Sequence, residues 1–307
     1  MLAATHPMKT HEWGWSNGEG LAFQSRSWEP EGGRRGVLVL LHGLGEHTGR
    51  YEAVGRRLAE SHYALAGFDM RGHGLSAGPR GHTPGYDVLL DDVSEFVDQV
   101  RLRFARSPLF LYGHSLGGNL ALNFAMRRSP EIQGVIATSP WLRVAFEPPP
   151  AKLLLARVLD WMAPAFTQEW GLETEALSHD VQTVDGYDVD PLVHGRISAR
   201  LYLTVAAAGR WALEHAGSFP LPLLLMHGSA DQVTSPQASR EFAARAGKAV
   251  TWRLWDGLFH ELHNEVSRDE VLDFVVGWLD GELQARPAVR QDAGQKASGM
   301  REFGALS

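Results

Sequence analysis

A glycine-rich turn at residues 113–118, Gly-His-Ser-Leu-Gly-Gly, most constrains how this chain can fold. The apolar run at 108–112 before it predicts a buried strand, and the helix formers at 119–128 after it predict a helix. A serine at the apex of so tight a connection is held in a strained backbone conformation. Glycine is needed two residues to either side, because a Cβ there would meet the neighbouring strand or helix. The hydroxyl of Ser115 should therefore stand clear of the sheet.

Strand-like and helix-like segments alternate through much of the chain. Residues 12–28 predict an antiparallel hairpin at a sheet edge. Continuous apolar runs predict buried parallel strands at 37–41, 63–68, 134–138, 221–226 and 249–255, and helices are expected at 51–61, 87–104, 236–246 and 269–283. This alternation predicts an α/β fold with a mostly parallel, doubly wound sheet of about eight strands.

The alternation stops between residues 141 and 218, where the sequence contains three consecutive prolines and helical stretches but no clear strand. We expect residues 1–140 and 219–283 to form one core domain. Residues 141–218 should then be an inserted helical cap over the carboxyl ends of the strands, where such sheets bind ligands. Residues 284–307, rich in Ala, Gly, Gln and Arg, are expected to form a flexible tail.

The composition excludes several classes of protein. The 307 residues include no cysteine, which removes disulfides, a cysteine nucleophile and thiolate metal sites. The net charge of −7 and the lack of a basic stripe argue against a nucleic-acid partner. The first residues lack the apolar segment of a secretory signal, and no run is long enough to span a bilayer. We therefore expect a cytoplasmic protein.

Two residues that follow the turn serine in the chain indicate a catalytic role for it. A serine hydroxyl is a weak nucleophile that needs a base within hydrogen-bond reach and an acid to orient that base. Asp231 follows the strand at 221–226 and His260 follows the last strand, which gives the order Ser, Asp, His. We predict that Ser115 is the nucleophile of an acyl transfer, His260 its base and Asp231 the orienting acid.

Other residues near these positions are weaker candidates for the same roles. His114 adjoins the serine but is expected to pack away from the apex, and His263 lies beyond the end of the strand. Asp256 is the rival acid, since it directly precedes the segment of His260. The alternative interpretation of Asp231 is a residue that caps a turn.

An acyl transfer also needs donors for the oxyanion. We predict the backbone N–H of Leu116, just after the serine, and that of Leu44 in the glycine-rich loop at 42–45.

Two segments resemble motifs of metal and nucleotide sites, but their residue spacing does not match those motifs. The segment 260–263, His-Glu-Leu-His, is one residue shorter than the zinc motif H-E-x-x-H. The glycines at 43, 45 and 49 are spaced one residue too widely for a dinucleotide-binding loop. We therefore predict no metal and no organic cofactor.

Several motifs together resemble the monoacylglycerol lipase and lysophospholipase branch of the α/β-hydrolase family. They are His-Gly-Leu-Gly-Glu-His-Thr-Gly-Arg-Tyr at 42–51, Asp-x-Arg-Gly-His-Gly-x-Ser at 69–76, the turn at 113–118, Asp-Pro-Leu at 190–192, His-Gly-x-x-Asp at 227–231 and His-Glu-x-x-Asn-Glu at 260–265. The resemblance covers nearly the whole chain except the middle of the cap and the tail. The motif at 69–76 is expected to shape a loop and not to act in catalysis.

The resemblance implies a serine hydrolase that cleaves single-chain lipid esters through an acyl-serine intermediate, with monoacylglycerol as the preferred substrate. A lysophospholipase or a short- to medium-chain carboxylesterase is the alternative, and a non-catalytic ligand-binding member of the fold is a third. Glu46, Arg50, Tyr187 and His263 match the family residues that surround the glyceryl group. Alternatively, Glu46 and Arg50 form a loop salt bridge, and the other two line the rim of the pocket.

The first helix of the cap has an apolar face that includes Leu154, Leu155 and Leu159. We predict that these side chains contact the acyl chain, and that an exposed apolar cap would allow transient contact with a membrane or micelle surface. The alternative is that this face packs on the core. No obligate protein partner is indicated.

Overall fold

The computed structural model describes residues 8–146 and 148–285. Of the tail expected at 284–307, residues from 286 onward lie outside the described part of the chain. The strands are β1 (Met8–Ser16), β2 (Ala22–Pro30), β3 (Gly36–Leu41), β4 (Tyr63–Phe68), β5 (Leu109–His114), β6 (Gly134–Thr138), β7 (Thr167–Glu169), β8 (Arg196–Ser198), β9 (Leu223–Gly228) and β10 (Val250–Trp255). The helices are α1 (Glu52–Glu60), α2 (Tyr86–Arg103), α3 (Leu116–Arg128), α4 (Pro150–Met162), α5 (Val181–Val189), α6 (Ala199–His215), α7 (Pro236–Ala246) and α8 (Arg268–Ala285).

Eight of the strands form one sheet in the order β1-β2-β4-β3-β5-β6-β9-β10. The first pair is an antiparallel hairpin at the edge, and β2 also runs antiparallel to β4. The remaining neighbours are parallel. The predicted α/β class, with a mostly parallel sheet of eight strands, is confirmed.

The central strand β3 shows why helices cover both faces of the sheet. Val37, Val39 and Leu41 lie in one buried cluster with residues of α2, α3, α6 and α7. Leu38 and Leu40 point the other way, into a second cluster with residues of α1 and α8. Because successive side chains of a strand alternate between faces, a strand that is apolar throughout must be covered on both.

The segment predicted as a cap contains α4, α5, α6 and an antiparallel ribbon formed by β7 and β8. The expectation that no strand lies between these helices was wrong, because three-residue strands are too short to show an alternating pattern. Helix α6 lies within the same segment, yet its buried face (Leu201, Val205, Ala208, Ala212 and Leu213) belongs to the core cluster. The boundary of the cap at 218 stays a prediction.

Candidate active site

The turn after β5 holds Ser115 in the left-handed region, with φ 52° and ψ −113°. A Cβ added at Gly113 would overlap the backbone of Gly117, and one added at Gly117 would overlap the backbone of Leu41. Glycine is therefore required on both sides of the serine. The backbone N–H of Ser115 donates to the carbonyl oxygen of Thr138 at 3.0 Å, which ties the turn to β6.

The predicted base and acid lie side by side. The Nδ1 atom of His260 is 2.8 Å from Oδ2 of Asp231. Since an ionised carboxylate can only accept, Nδ1 carries the proton and Nε2 is left as the basic nitrogen. His260 lines the same cavity as Ser115. The structure thus brings the three residues predicted from chain order to one site.

A second imidazole also contacts the acid, and sequence reasoning gave it no role. Nε2 of His227 lies 2.9 Å from Oδ2 of Asp231, and its Nδ1 lies 2.8 Å from Oγ of Ser239. The backbone N–H groups of Val233 and Thr234 donate to Oδ1 of Asp231 at 2.8 and 3.0 Å. The only signal in the sequence was a histidine four residues before the acid, at the end of the same strand.

Burial and charge act against each other on this pair. Burial alone would raise the pKa of Asp231, but contacts with His260 and His227 hold it well below its usual value. Burial alone would lower the pKa of His260, but the adjacent Asp231 carboxylate outweighs it and raises the pKa above its usual value. Asp231 is therefore ionised, and it stabilises a proton on His260.

Ser139 and Thr234 hold the base and acid in place, and neither was singled out from the sequence. Oγ of Ser139 donates to the carbonyl oxygen of His260 at 2.8 Å. Oγ1 of Thr234 donates to Oδ2 of Asp231 at 3.0 Å.

The other residues considered for the base and the acid do not contact His260 or Asp231 through hydrogen bonds in the structure. His114 is buried, with Nδ1 3.0 Å from Oγ1 of Thr138, and burial keeps its pKa well below the usual value. Asp256 is exposed and accepts a hydrogen bond from Oγ of Ser229 at 3.2 Å. The motif at 69–76 shapes a loop, since the Asp69 carboxylate accepts from the backbone N–H groups of Thr48 and Leu75.

The two residues whose backbone N–H groups are predicted as oxyanion donors come from separate segments of the chain. Leu44 lines the cavity, and Leu116 is the first residue of α3. The loop that carries Leu44 is fastened at both ends of its turn: Glu46 accepts the N–H of Gly43, and the backbone N–H of His194 donates to the carbonyl oxygen of Gly45 at 2.8 Å.

The cavity above Ser115 is lined by both apolar and polar side chains. The apolar side chains come from both core and cap and are Trp141, Trp170, Leu172, Leu177 and Val233. Glu46, Tyr187 and Glu261 also line the cavity, and all three contact Arg50, so they form one polar group that we call the polar end. The cavity therefore suits a ligand with one apolar and one polar part.

The glyceryl-binding residues expected from the family resemblance divide into two groups. Glu46 and Tyr187 line the cavity, whereas Arg50 lies behind them, with Cζ 4.6 Å from the Tyr187 ring centroid. The Glu46–Arg50 salt bridge considered as the alternative is present, at 2.8 Å. His263 is fully buried against Tyr51, with ring centroids 4.7 Å apart, and is absent from the described lining of the cavity.

Glu261, which the sequence indicates only as one residue of the motif at 260–265, contacts Arg50 through both of its carboxylate oxygens. Its two oxygens accept from Nη1 and Nη2 at 2.7 and 2.8 Å. Burial alone would raise the pKa of Glu261, but Arg50 lowers it to about 2. Glu261 is therefore a buried, ionised carboxylate at the cavity wall.

The leucines predicted to contact the acyl chain lie elsewhere. Leu154 and Leu155 are 62% and 56% exposed, Leu159 is half-buried, and none of the three belongs to the described lining of the cavity. Helical periodicity correctly places them on one face, but that face looks outward. Trp170, Leu172 and Leu177, in the irregular part of the cap, line the cavity instead.

Within residues 8–146 and 148–285, no helix is long and apolar enough to cross a membrane. In that same part of the chain, no cluster of three or more His, Asp or Glu residues could hold a metal ion.

A doubly wound sheet with a serine at a strained turn after β5, and an acid and a histidine after later strands, defines a serine hydrolase of the α/β-hydrolase fold. The family model described as serine aminopeptidase, S33, matches residues 32–267, and the chain belongs to this family.

Individual relatives match over most of the chain. An uncharacterized abhydrolase domain-containing protein of Dictyostelium discoideum is 34% identical over 84% of this chain, which spans 28% of that protein's length. The monoacylglycerol lipase of Mycolicibacterium smegmatis is 32% identical over 83% of this chain and 92% of its own. The crystal structure of Paleococcus ferrophilus monoacylglycerol lipase is 31% identical and superposes with a TM-score of 0.75, over 89% of this chain and 99% of that one.

Proposed function

We propose that this protein hydrolyses esters of single acyl chains through an acyl-serine intermediate, with monoacylglycerol as its preferred substrate. The observation that carries the proposal is one cavity whose lining combines Ser115 and His260 with several large apolar side chains and with the polar end. The similar enzymes named monoacylglycerol lipase support the same substrate class.

In the first half of the reaction, Nε2 of His260 takes the proton of the Ser115 hydroxyl as its oxygen attacks the ester carbonyl. The electron pair of the C=O bond moves to its oxygen, and the N–H groups of Leu44 and Leu116 stabilise that oxyanion. The intermediate collapses as the bond to the alcohol oxygen breaks. His260 gives its proton to that oxygen, and glycerol leaves.

In the second half, water repeats the same steps on the acyl-serine. His260 takes a proton from the water, the resulting oxyanion uses the same two N–H groups, and the fatty acid leaves as the proton returns to Ser115. Asp231 remains ionised throughout because its pKa is low. Its negative charge stabilises the imidazolium form of His260 in each half of the reaction.

The glyceryl group is proposed to bind at the polar end of the cavity. Glu46 and Glu261 can accept hydrogen bonds from its free hydroxyls, and the hydroxyl of Tyr187 can donate or accept. Arg50 does not contact the glyceryl group in this proposal. It holds the carboxylates of Glu46 and Glu261 in place through hydrogen bonds. His263 lies behind this layer, so its role in the proposal is to support Tyr51 and not to contact glycerol.

Replacing Tyr187 by Phe tests both the substrate and the binding mode. We expect kcat/KM for 1-lauroylglycerol to fall by one hydrogen bond, roughly 0.5–1.5 kcal/mol or about 2- to 12-fold. The value for p-nitrophenyl laurate, which has the same acyl chain but no glyceryl hydroxyls, should barely change. Both rates are measured at substrate concentrations below micelle formation.

Tyr63→Phe is the matched control, because the hydroxyl of Tyr63 bonds Asp280 and lies outside the cavity lining. An equal loss on both esters would assign Tyr187 a structural role. Failure of the unmodified protein to hydrolyse 1-lauroylglycerol would refute the proposed function itself.

We also propose that α4 contacts the lipid surface on which such substrates reside. Its outer face exposes Leu154, Leu155, Trp161 and Met162, the tryptophan by 84%. An exposed apolar patch of this kind marks an interaction surface, and an apolar helix face suits the boundary of a bilayer.

Replacing Leu154 and Leu155 by Ser should weaken binding to phosphatidylcholine vesicles, measured by co-sedimentation, at least about tenfold, since each leucine contributes roughly 1.5–3 kcal/mol when fully buried. Hydrolysis of soluble p-nitrophenyl butyrate should be retained, because these side chains do not reach the cavity. Leu102→Ser, at a still more exposed leucine of α2, is the control. Unchanged vesicle binding, or a matching loss with the control, would refute the contact.

A further inference from the structure

The single positive charge of Arg50 lies between two glutamate carboxylates, those of Glu46 and Glu261. Its Nη1 donates to Oε2 of Glu46 and Oε1 of Glu261, and its Nη2 donates to Oε2 of Glu261. The ring of Tyr187 covers its face. Glu46 also accepts from the hydroxyl of Tyr51 at 2.8 Å and from the backbone N–H of Gly43. One guanidinium between two carboxylates leaves this group with a net charge of −1.

Of the three charged residues in this group, only Arg50 lies outside the cavity lining. Glu46 and Glu261 are part of the cavity lining, whereas Arg50 is not. Among the described residues that line the cavity, none is lysine or arginine. Burial lowers the pKa of His194 to about 4 and keeps that of His114 well below its usual value, so these two lining histidines are neutral at pH 7. The third lining histidine, His260, is paired with the carboxylate of Asp231, so this pair adds no net positive charge to the cavity.

The geometry points to Glu261 as a specificity-determining residue that makes the alcohol end of the cavity net anionic and so rejects esters whose alcohol carries a phosphate. Glu46 and Arg50 alone would form a neutral pair. Glu261 adds the uncompensated charge and also occupies the donors that could otherwise bind a phosphate. The inference rests on the proposed hydrolysis of single-chain esters, and it separates uncharged monoacylglycerol from lysophosphatidate.

The position of Glu261 makes the effect strong. It is next to His260 in sequence, 2% exposed, and fixed on its other side by Nδ2 of Asn264 at 2.8 Å. A phosphate on the alcohol would approach buried side chains that already carry net negative charge. Coulomb repulsion between unit charges about 6 Å apart, at an effective dielectric constant of about 20, corresponds to roughly a hundredfold in relative rate.

The test compares 1-lauroylglycerol with 1-lauroyl-lysophosphatidate, which share the acyl chain and the glycerol backbone. For the unmodified protein, we expect kcat/KM to favour the uncharged ester by roughly a hundredfold or more. In Glu261→Gln, that ratio should shrink at least about tenfold, because the charge of the polar end becomes neutral.

Asp256→Asn is the matched control. It removes one carboxylate from the same loop region, but Asp256 is exposed and outside the cavity lining, so the ratio should stay at its original value. Thermal unfolding and labelling by a fluorophosphonate establish that each variant is folded and has a reactive serine.

A second measurement needs no variant. Lauroylcholine and 3,3-dimethylbutyl laurate have alcohols of the same shape, with a cationic nitrogen in one and a neutral carbon in the other. A net anionic alcohol site should give the choline ester the higher kcat/KM. Three results would each overturn the inference. The unmodified protein could cleave 1-lauroyl-lysophosphatidate as fast as 1-lauroylglycerol, or the ratio of the two kcat/KM values could stay unchanged in folded Glu261→Gln. The third is a higher kcat/KM for 3,3-dimethylbutyl laurate than for lauroylcholine. Such results, obtained with an enzyme that still hydrolyses 1-lauroylglycerol, would leave the proposed function standing.

Discussion

Ser115→Ala is expected to lower kcat for ester hydrolysis by about a million-fold, to the level supplied by binding and the oxyanion donors alone. The Ser115 oxygen forms the covalent bond to the acyl group. The other two hydroxyl groups in the described lining belong to Thr234, which donates to Asp231, and to Tyr187, which covers Arg50, so neither is expected to replace it. A fluorophosphonate probe should label the unmodified protein once and the variant not at all. Intact mass after labelling, together with release of fatty acid, measures both effects.

Ser107→Ala provides the control, since Ser107 precedes β5 at the end of that strand opposite to Ser115. It should be labelled and active like the unmodified protein. Labelling of Ser115→Ala at a normal rate would show that another nucleophile operates, and the proposed mechanism would fail with it.

The fold was predictable because its signals are local. Continuous apolar runs predict β3, β4 and β6 to within one residue at each end. The turn at Ser115 was predictable for the same reason, since two glycines and a serine at fixed spacing have few conformational solutions. The positions of Asp231 and His260 follow from the fold, because the carboxyl ends of parallel strands meet at one edge.

The contacts that shape specificity were not predictable, because they join distant parts of the chain. Arg50 and Glu261 are separated by 211 residues, and nothing near either residue indicates the other. Helical periodicity predicted the apolar face of α4 but could not say whether core, cavity or solvent lies next to it. The cavity wall formed by Trp170 and Leu172 comes from an irregular segment without any periodic pattern.

Asp231→Asn is expected to lower kcat by about ten-thousandfold while the protein stays folded. The amide keeps the shape of the carboxylate but can donate a hydrogen to Nδ1 of His260, which would place the imidazole proton on Nε2, where the base is needed. The contact is 2.8 Å long in the unmodified protein, so the exchange needs no movement of the backbone. Removing the charge also withdraws the stabilisation of the imidazolium that forms in each step.

The pH profile supplies an independent signature of the same residue. Because the Asp231 carboxylate raises the pKa of His260, Asp231→Asn should lower that pKa. The basic form of His260 then persists to lower pH, so the ascending limb of kcat/KM against pH should move towards acid. Asp256→Asn, at the exposed rival acid, should leave both kcat and the limb unchanged. A near-normal kcat in Asp231→Asn, or a large loss in Asp256→Asn, would assign the orienting acid to another residue.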